Sequence, residues 1–159
     1  RLGTLFGLGD RHSRMRLDLV ANILSMRAAK GEKLTVFGGE QWRPLLHVRD
    51  VSTAILHGLK NNISGLYNLS YKNYKIVELA EQIQKIIPEC QVAYTDMKFE
   101  DLRNYKVKND KYLATGWKPE YTLDDGINQI MSLIEENRIK DTGDVVYSNA
   151  AFMRKLNEF

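Results

Sequence analysis

Apolar positions along this 159-residue chain come in short runs whose spacing alternates between two periods, and that alternation is the first structural signal. Leu2–Phe6 is a compact apolar run and reads as a strand. After a Gly-rich polar loop, Leu17, Val20, Ile23, Leu24 and Met26–Ala28 recur at helical spacing, with Gly31 as the terminator. Leu34–Phe37 predicts a strand ending at Gly38-Gly39, and Pro44–Val48 predicts another. A helix opened by Asp50 or a neighbour then carries Val51, Ala54, Ile55 and Leu59, and closes near Asn61-Asn62. Leu66–Leu69 reads as a strand. Residues 76–87 form the clearest amphipathic helix, with Ile76, Leu79, Ala80, Ile83, Ile86 and Ile87 on one face and Pro88 as its stop.

Gln91–Tyr94 and Tyr105–Val107 predict short strands flanking a charged loop, and Asp110–Thr115 a short helix stopped by Gly116. Thr122 with Asp125 three residues later forms a capping box and opens a helix to about Asn137. Asp141–Phe159 is irregular before one or two helical turns. Strands and helices alternate with short joins, so the fold class is α/β, with short strands and packed helices. The sequence shows no repeat, low-complexity tract or linker, and residues 1–159 read as one compact unit.

Composition agrees with a globular core: 43% of residues are hydrophobic and 27% charged. No apolar run reaches the roughly 20 residues of a membrane-spanning helix. Cys90 is the single cysteine, so no intramolecular disulfide forms, and the expected location is the reducing cytoplasm. Charge is uneven. Residues 1–49 hold nine Lys/Arg against four Asp/Glu, whereas residues 50–159 hold fourteen against sixteen. The excess is Arg-rich (Arg1, Arg11, Arg14, Arg16, Arg27, Arg43, Arg49), which suits a phosphorylated small molecule, a nucleic acid or a solvated surface.

Two motifs tempt and mislead. Gly3-x-x-x-Gly7-x-Gly9 has the glycine spacing of a dinucleotide-binding turn, but no room exists for a preceding strand and Asp-Arg-His-Ser-Arg follows where a helix should start. Tyr71-x-x-x-Lys75 has the spacing of a catalytic Tyr/Lys pair, which belongs one turn apart on a long helix; here it lies in the polar stretch YKNYK, expected to be a loop. His12, His47 and His57 repeat no metal-ligand spacing, Cys90 lacks a second thiolate, and His47 within an apolar strand reads as a structural residue.

Taken in order, R-L-G-T-L-F-G-L-G at 1–9, L-T-V-F-G-G-E-Q-W-R at 34–43, P-L-L-H-V-R-D-V-S-T-A at 44–54, G-L-Y-N-L-S at 65–70, V-E-L-A at 77–80, D-L-R-N-Y at 101–105 and D-K-Y-L-A-T-G-W-K-P at 110–119 resemble the C-terminal half of extended short-chain dehydrogenase/reductases, the NAD-dependent nucleotide-sugar epimerases and dehydratases. The resemblance covers nearly the whole chain. It implies the C-terminal part of a Rossmann-type fold, whose N-terminal half, expected to be missing here, binds NAD or NADP and holds the catalytic residues. It implies no catalytic residue, cofactor site or metal in this chain, and an inactive fragment.

The resemblance also supplies the site. Arg43, after a Gly-rich turn, and Arg103 are expected on the diphosphate of a nucleoside-diphosphate sugar, where a guanidinium gives two parallel charge-assisted bonds. Phe37 stands where the family contacts the nucleobase, Asp18 and Leu19 stand at the helix start that meets the diphosphate, and Thr4 stands where relatives carry Asn toward the sugar. Competing assignments pair Arg43 with Asp50 and Arg103 with Asp101. Asp50 as a helix cap, Asn68 as a loop tie, and Trp117 with Pro119 as a packing corner read as scaffold. The implied partners are the nucleotide sugar and, for the intact enzyme, a second copy in a homodimer, with no nucleic acid or membrane. A stand-alone nucleotide or nucleic-acid binding module without catalysis is the alternative reading.

Overall fold

The structure is a computed structural model describing residues 1–10, 14–95 and 103–157. Strands β1 (Thr4–Phe6), β2 (Leu34–Phe37), β3 (Trp42–His47), β4 (Lys72–Lys75) and β5 (Val92–Thr95) alternate with helices α1 (Val20–Ala29), α2 (Val48–Lys60), α3 (Ile76–Ile86), α4 (Asp110–Leu113), α5 (Leu123–Glu135) and α6 (Asn149–Leu156). The α/β class holds. In one sheet β3 lies between parallel β1 and antiparallel β4; in the other β2 pairs in parallel with β5.

Strand β3 is buried on both faces, as its continuous apolar run requires. Leu45 joins Phe6, Leu24, Leu34, Leu79, Ile83 and Ile127 in the main core, formed where α1, α3 and α5 pack together. Leu46 turns the other way, to Ala54, Leu69, Tyr112 and Trp117 under α2 and α4. A third cluster, Leu17, Met26, Ile130, Leu133 and Ile139, extends the α1–α5 contact. The corner expected at Trp117 is a buried anchor whose indole N–H donates to Thr53 Oγ1 at 3.1 Å.

Several expectations need correction. Leu66–Leu69 does not form a strand; only Leu69 bridges to Leu2. YKNYK is not a loop: residues 72–75 are β4, in register with Trp42–Leu45, and Tyr74 packs against the main core. Tyr105–Val107 joins neither sheet among the described residues.

Asp50 is not the cap of α2. His47 is: its Nδ1 accepts from Arg49 N at 3.1 Å. Asp50, fully buried, instead accepts from the N–H groups of Glu120 (2.9 Å) and Tyr121 (3.3 Å), pinning the corner that leads into α5. The Thr122/Asp125 capping box forms as expected, and α5 ends at Glu135.

Helix α2 buries little of its own apolar surface. Ile55, Leu56 and Leu59 are exposed, and Ile55 and Leu59 line an open groove with Leu66, Tyr67 and Arg1. No helix among the described residues is long and apolar enough to cross a membrane.

Candidate functional site

Arg43 and Arg103, sixty residues apart in sequence, are in direct contact. Strand β3 carries Arg43 at 7% exposure, and its Nη1 donates to Trp42 O (3.0 Å) and to the backbone carbonyl of Arg103. Arg103 lies on an arm without helix or strand, described over residues 103–109, that is bonded to β3 and β4. Asparagine side chains fasten it: Asn104 Oδ1 accepts from Trp42 N (3.0 Å), Asn73 binds both backbone groups of Val107, and Asn109 Nδ2 donates to Ser70 O. Asn68, expected as a loop tie, donates to Lys108 O at 3.4 Å. Lys106 places its ammonium 3.6 Å from the centre of the Trp42 ring. Asp50, the rival partner of Arg43, has its carboxylate on Glu120 and Tyr121. Asp101, the rival partner of Arg103, lies outside the described residues.

The other expected site residues fall at strand and helix ends. Thr4 opens β1 opposite Leu45, and Phe37 ends β2 opposite Thr95, half-buried, with its carbonyl accepting from Gln41 Nε2 at 3.3 Å. Leu19 precedes α1 and gives its first turn no side-chain cap; it lines a cavity of about 90 Å³ with Phe6, Gly7, Arg14, Arg16 and Asn22. Asp18 is already engaged. It takes two bonds from Arg16 (2.9 and 3.1 Å) and one from Asn149 N at the start of α6 (3.0 Å). Burial pushes its carboxyl upward, but these donors outweigh burial and hold it below the ordinary value.

The basic excess of residues 1–49 is dispersed rather than gathered in a stripe. Arg14 lies over the Phe152 ring, Arg16 pairs with Asp18, Arg27 lies 3.9 Å from Glu32, and Arg49 lies over Tyr121 with a bond to Gly9 O. Arg11 and His12 lie outside the described residues.

Both tempting motifs are committed elsewhere. Gly7, at φ +77°, is packed so closely that a Cβ would fall 2.0 Å from His47 Nε2; Gly3 faces Pro44 O; and α1 starts only at Val20. Tyr71 lies just before β4 and Lys75 at its far end, four strand residues or roughly 13 Å apart. Lys75 is on Glu40 at 2.6 Å, which raises its pKa. These residues do not fit a nicotinamide dinucleotide or a Tyr/Lys proton-transfer pair. No group of three or more His, Cys, Asp or Glu suited to a metal occurs among the described residues.

His47 is a structural residue, as its strand context suggests. It is fully buried, stacked on Tyr121 at 4.3 Å and edge-on to Phe6 at 5.2 Å. Because Nδ1 accepts from Arg49 N, the ring proton sits on Nε2 and is donated to Gln129 Oε1 at 2.9 Å. Burial holds its pKa below the usual imidazole value. Gln129 Oε1 also accepts from Leu8 N at 2.9 Å, tying the loop after β1 to α5. Sequence reasoning missed Gln129 and the asparagine-fastened arm; the single asparagines at 68, 73, 104 and 109 were the available signal.

Residues 1–70 match the model of the NAD dependent epimerase/dehydratase family. Among curated proteins, the low-salt glycan biosynthesis protein Agl12 of Haloferax volcanii is 30% identical over 106 residues, 64% of this chain and 34% of that protein. Among solved structures, RMD from Pseudomonas aeruginosa, complexed with NADPH, matches at TM-score 0.68 and 27% identity, over 87% of this chain and 48% of its own. UDP-glucose 4-epimerase of Thermotoga maritima, solved with UDP-glucose, matches at TM-score 0.68 and 21% identity, over 87% of this chain and 46% of its own. The chain thus spans about a third of the curated relative and under half of each of these structures. Residues 1–70 thus match the NAD dependent epimerase/dehydratase family in sequence, and the chain is similar in fold to these structures over most of its length.

Proposed function

We propose that this chain is the nucleotide-sugar-binding part of an NAD(P)-dependent epimerase or dehydratase, orienting a nucleoside-diphosphate sugar for hydride transfer at the sugar. The observation that carries the reading is the bond from Arg43 Nη1 to the backbone carbonyl of Arg103, which makes neighbours of two arginines from distant segments. A diphosphate there takes charge-assisted bonds from both. Phe37 is the nucleobase contact, and Thr4 faces the sugar. The first turn of α1, uncapped at Leu19, offers backbone N–H groups to phosphate, while Asp18 holds that turn through Arg16 and α6.

The cofactor, NAD or NADP, supplies hydride chemistry when bound and is held by a separate Rossmann part. Exposed Ile55, Leu56, Leu59 and Leu66 support that division, because they are apolar surface which such a part would cover. The intact protein is, on this reading, a cytoplasmic homodimer. This chain's own task is orientation and charge neutralisation, since a misplaced sugar loses its near-attack geometry.

Calorimetric titration with UDP, dTDP, GDP and ADP tests the reading. One of them binds the wild type, and Arg43→Ala and Arg103→Ala each weaken it by roughly ten- to a hundredfold, the range expected for a hydrogen bond to a charged group. Unchanged affinity in both variants overturns the site.

A further inference from the structure

The arm at residues 103–109 belongs to no sheet and no helix, yet it carries one of the two arginines, so something must fix its position. Its fastenings are unequal. Asn104 and Asn109 each make one bond across to the strand region, and Asn68 reaches Lys108 O only at 3.4 Å. Among the described residues, Asn73 alone satisfies both backbone groups of one arm residue: Val107 N donates to its Oδ1 at 2.9 Å, and its Nδ2 donates to Val107 O at 3.0 Å. Its side-chain amide thus stands in for the backbone of a missing neighbouring strand.

The location of Asn73 connects this bond to the site. It lies in β4 opposite Pro44, next to the Arg43–Tyr74 pair. From Val107 the arm runs back past Lys106, seated on the Trp42 ring, to Asn104 on Trp42 N and then to Arg103, whose carbonyl receives Arg43. Both ends of the contact are therefore referred to neighbouring positions on the paired strands β3 and β4. We propose that Asn73 is the positioning residue of the arginine pair, setting where Arg103 stands relative to Arg43. This inference rests on the nucleotide-sugar reading for its consequence in binding, but not for its structural content.

The experiment has two arms. In limited trypsinolysis of the 159-residue chain, Asn73→Ala raises cleavage after Arg103, Lys106 and Lys108 by roughly tenfold relative to cleavage after Arg154, since two net hydrogen bonds are lost. Asn73→Asp, which keeps the acceptor and loses the donor, gives an intermediate rise. Circular dichroism checks that both variants stay folded. Unchanged cleavage overturns the proposal, as does a rise shared by all sites, which would mark Asn73 as a general stability residue.

In titration with UDP, dTDP, GDP and ADP, Asn73→Ala weakens the bound nucleotide by roughly tenfold, and adding it to Arg103→Ala costs little more, because Asn73 acts on binding by placing the Arg103 side chain. Additive losses overturn the positioning role. If no nucleotide binds the wild type, the functional reading fails, and the trypsin arm still decides whether Asn73 places Arg103.

Discussion

Gly7→Ala is the sharpest test of how the chain is packed where the end of β1 meets His47 and Gln129. The residue follows β1, at φ +77°, where an L side chain is strained by about 1–2 kcal/mol. Space is the larger problem. The added Cβ would lie 2.0 Å from His47 Nε2, 2.3 Å from His47 Cδ2 and 3.0 Å from Gln129 Oε1, so the imidazole must move by more than an ångström.

His47 cannot move freely, being stacked on Tyr121 and bonded at both ring nitrogens. Overpacking of this kind costs about 1–3 kcal/mol, and the displaced His47–Gln129 bond about 1 more. The total is about 3–6 kcal/mol, or roughly 6–24 °C in melting temperature for a domain of this size. Urea unfolding followed by circular dichroism measures it, and His47→Ala is the control background. With the imidazole gone the steric part vanishes, so Gly7→Ala should then cost only about 1–2 kcal/mol, the backbone strain. Equal costs in the two backgrounds would refute the packing argument.

Two further outcomes follow from buried polar groups. Asp50→Ala strands the N–H groups of Glu120 and Tyr121 and should cost about 3–4 kcal/mol in urea unfolding, with Asp50→Asn keeping one acceptor and losing about half as much. His47 has a folded pKa below its unfolded value near 6.5, so its contribution is complete above that value. It is lost as pH falls below about 6.5, because the unfolded state then binds the proton first. Wild-type stability should therefore drop between pH 7 and 5 at up to about 1.4 kcal/mol per pH unit, and His47→Gln should flatten that segment of the profile.

The parts of this molecule legible in the sequence are those with local causes. The apolar stripe of α3, the β2 run and the Thr122/Asp125 capping box all appear where spacing puts them, because each is decided within a few residues. Strand β4 was illegible for the opposite reason. YKNYK has only Tyr74 to bury, and its strand state comes from pairing with Trp42–Leu45, thirty residues upstream. Asp50 shows the same effect at a single residue. Its position early in a helix suggests a cap, but its partners lie seventy residues on, and the cap falls to His47, a less usual residue for that role. At the candidate site, Arg43 stood out by its place after two glycines, whereas nothing local announces that Asn73 meets Val107.

Electrostatics gives the most direct route from this fold to a ligand. Arg43 is nearly buried, where withdrawing a cation from water is costly, and it donates to the backbone carbonyl of Arg103 on the adjoining arm. A doubly charged diphosphate that binds beside these two arginines, as proposed, should stabilise the folded chain by linkage. At a hundredfold excess over Kd the gain is about 2.7 kcal/mol, a rise of roughly 5–10 °C in melting temperature. Thermal melts with the nucleoside diphosphate that binds in titration measure this, with the matching nucleoside as control. If the charges carry the interaction, the nucleoside gives little shift, and raising NaCl from 50 to 500 mM shrinks the diphosphate shift as the Debye length falls from about 14 to about 4 Å. A nucleoside shift equal to that of the diphosphate would refute this, and would move the binding energy from Arg43 and Arg103 to the base contact expected at Phe37.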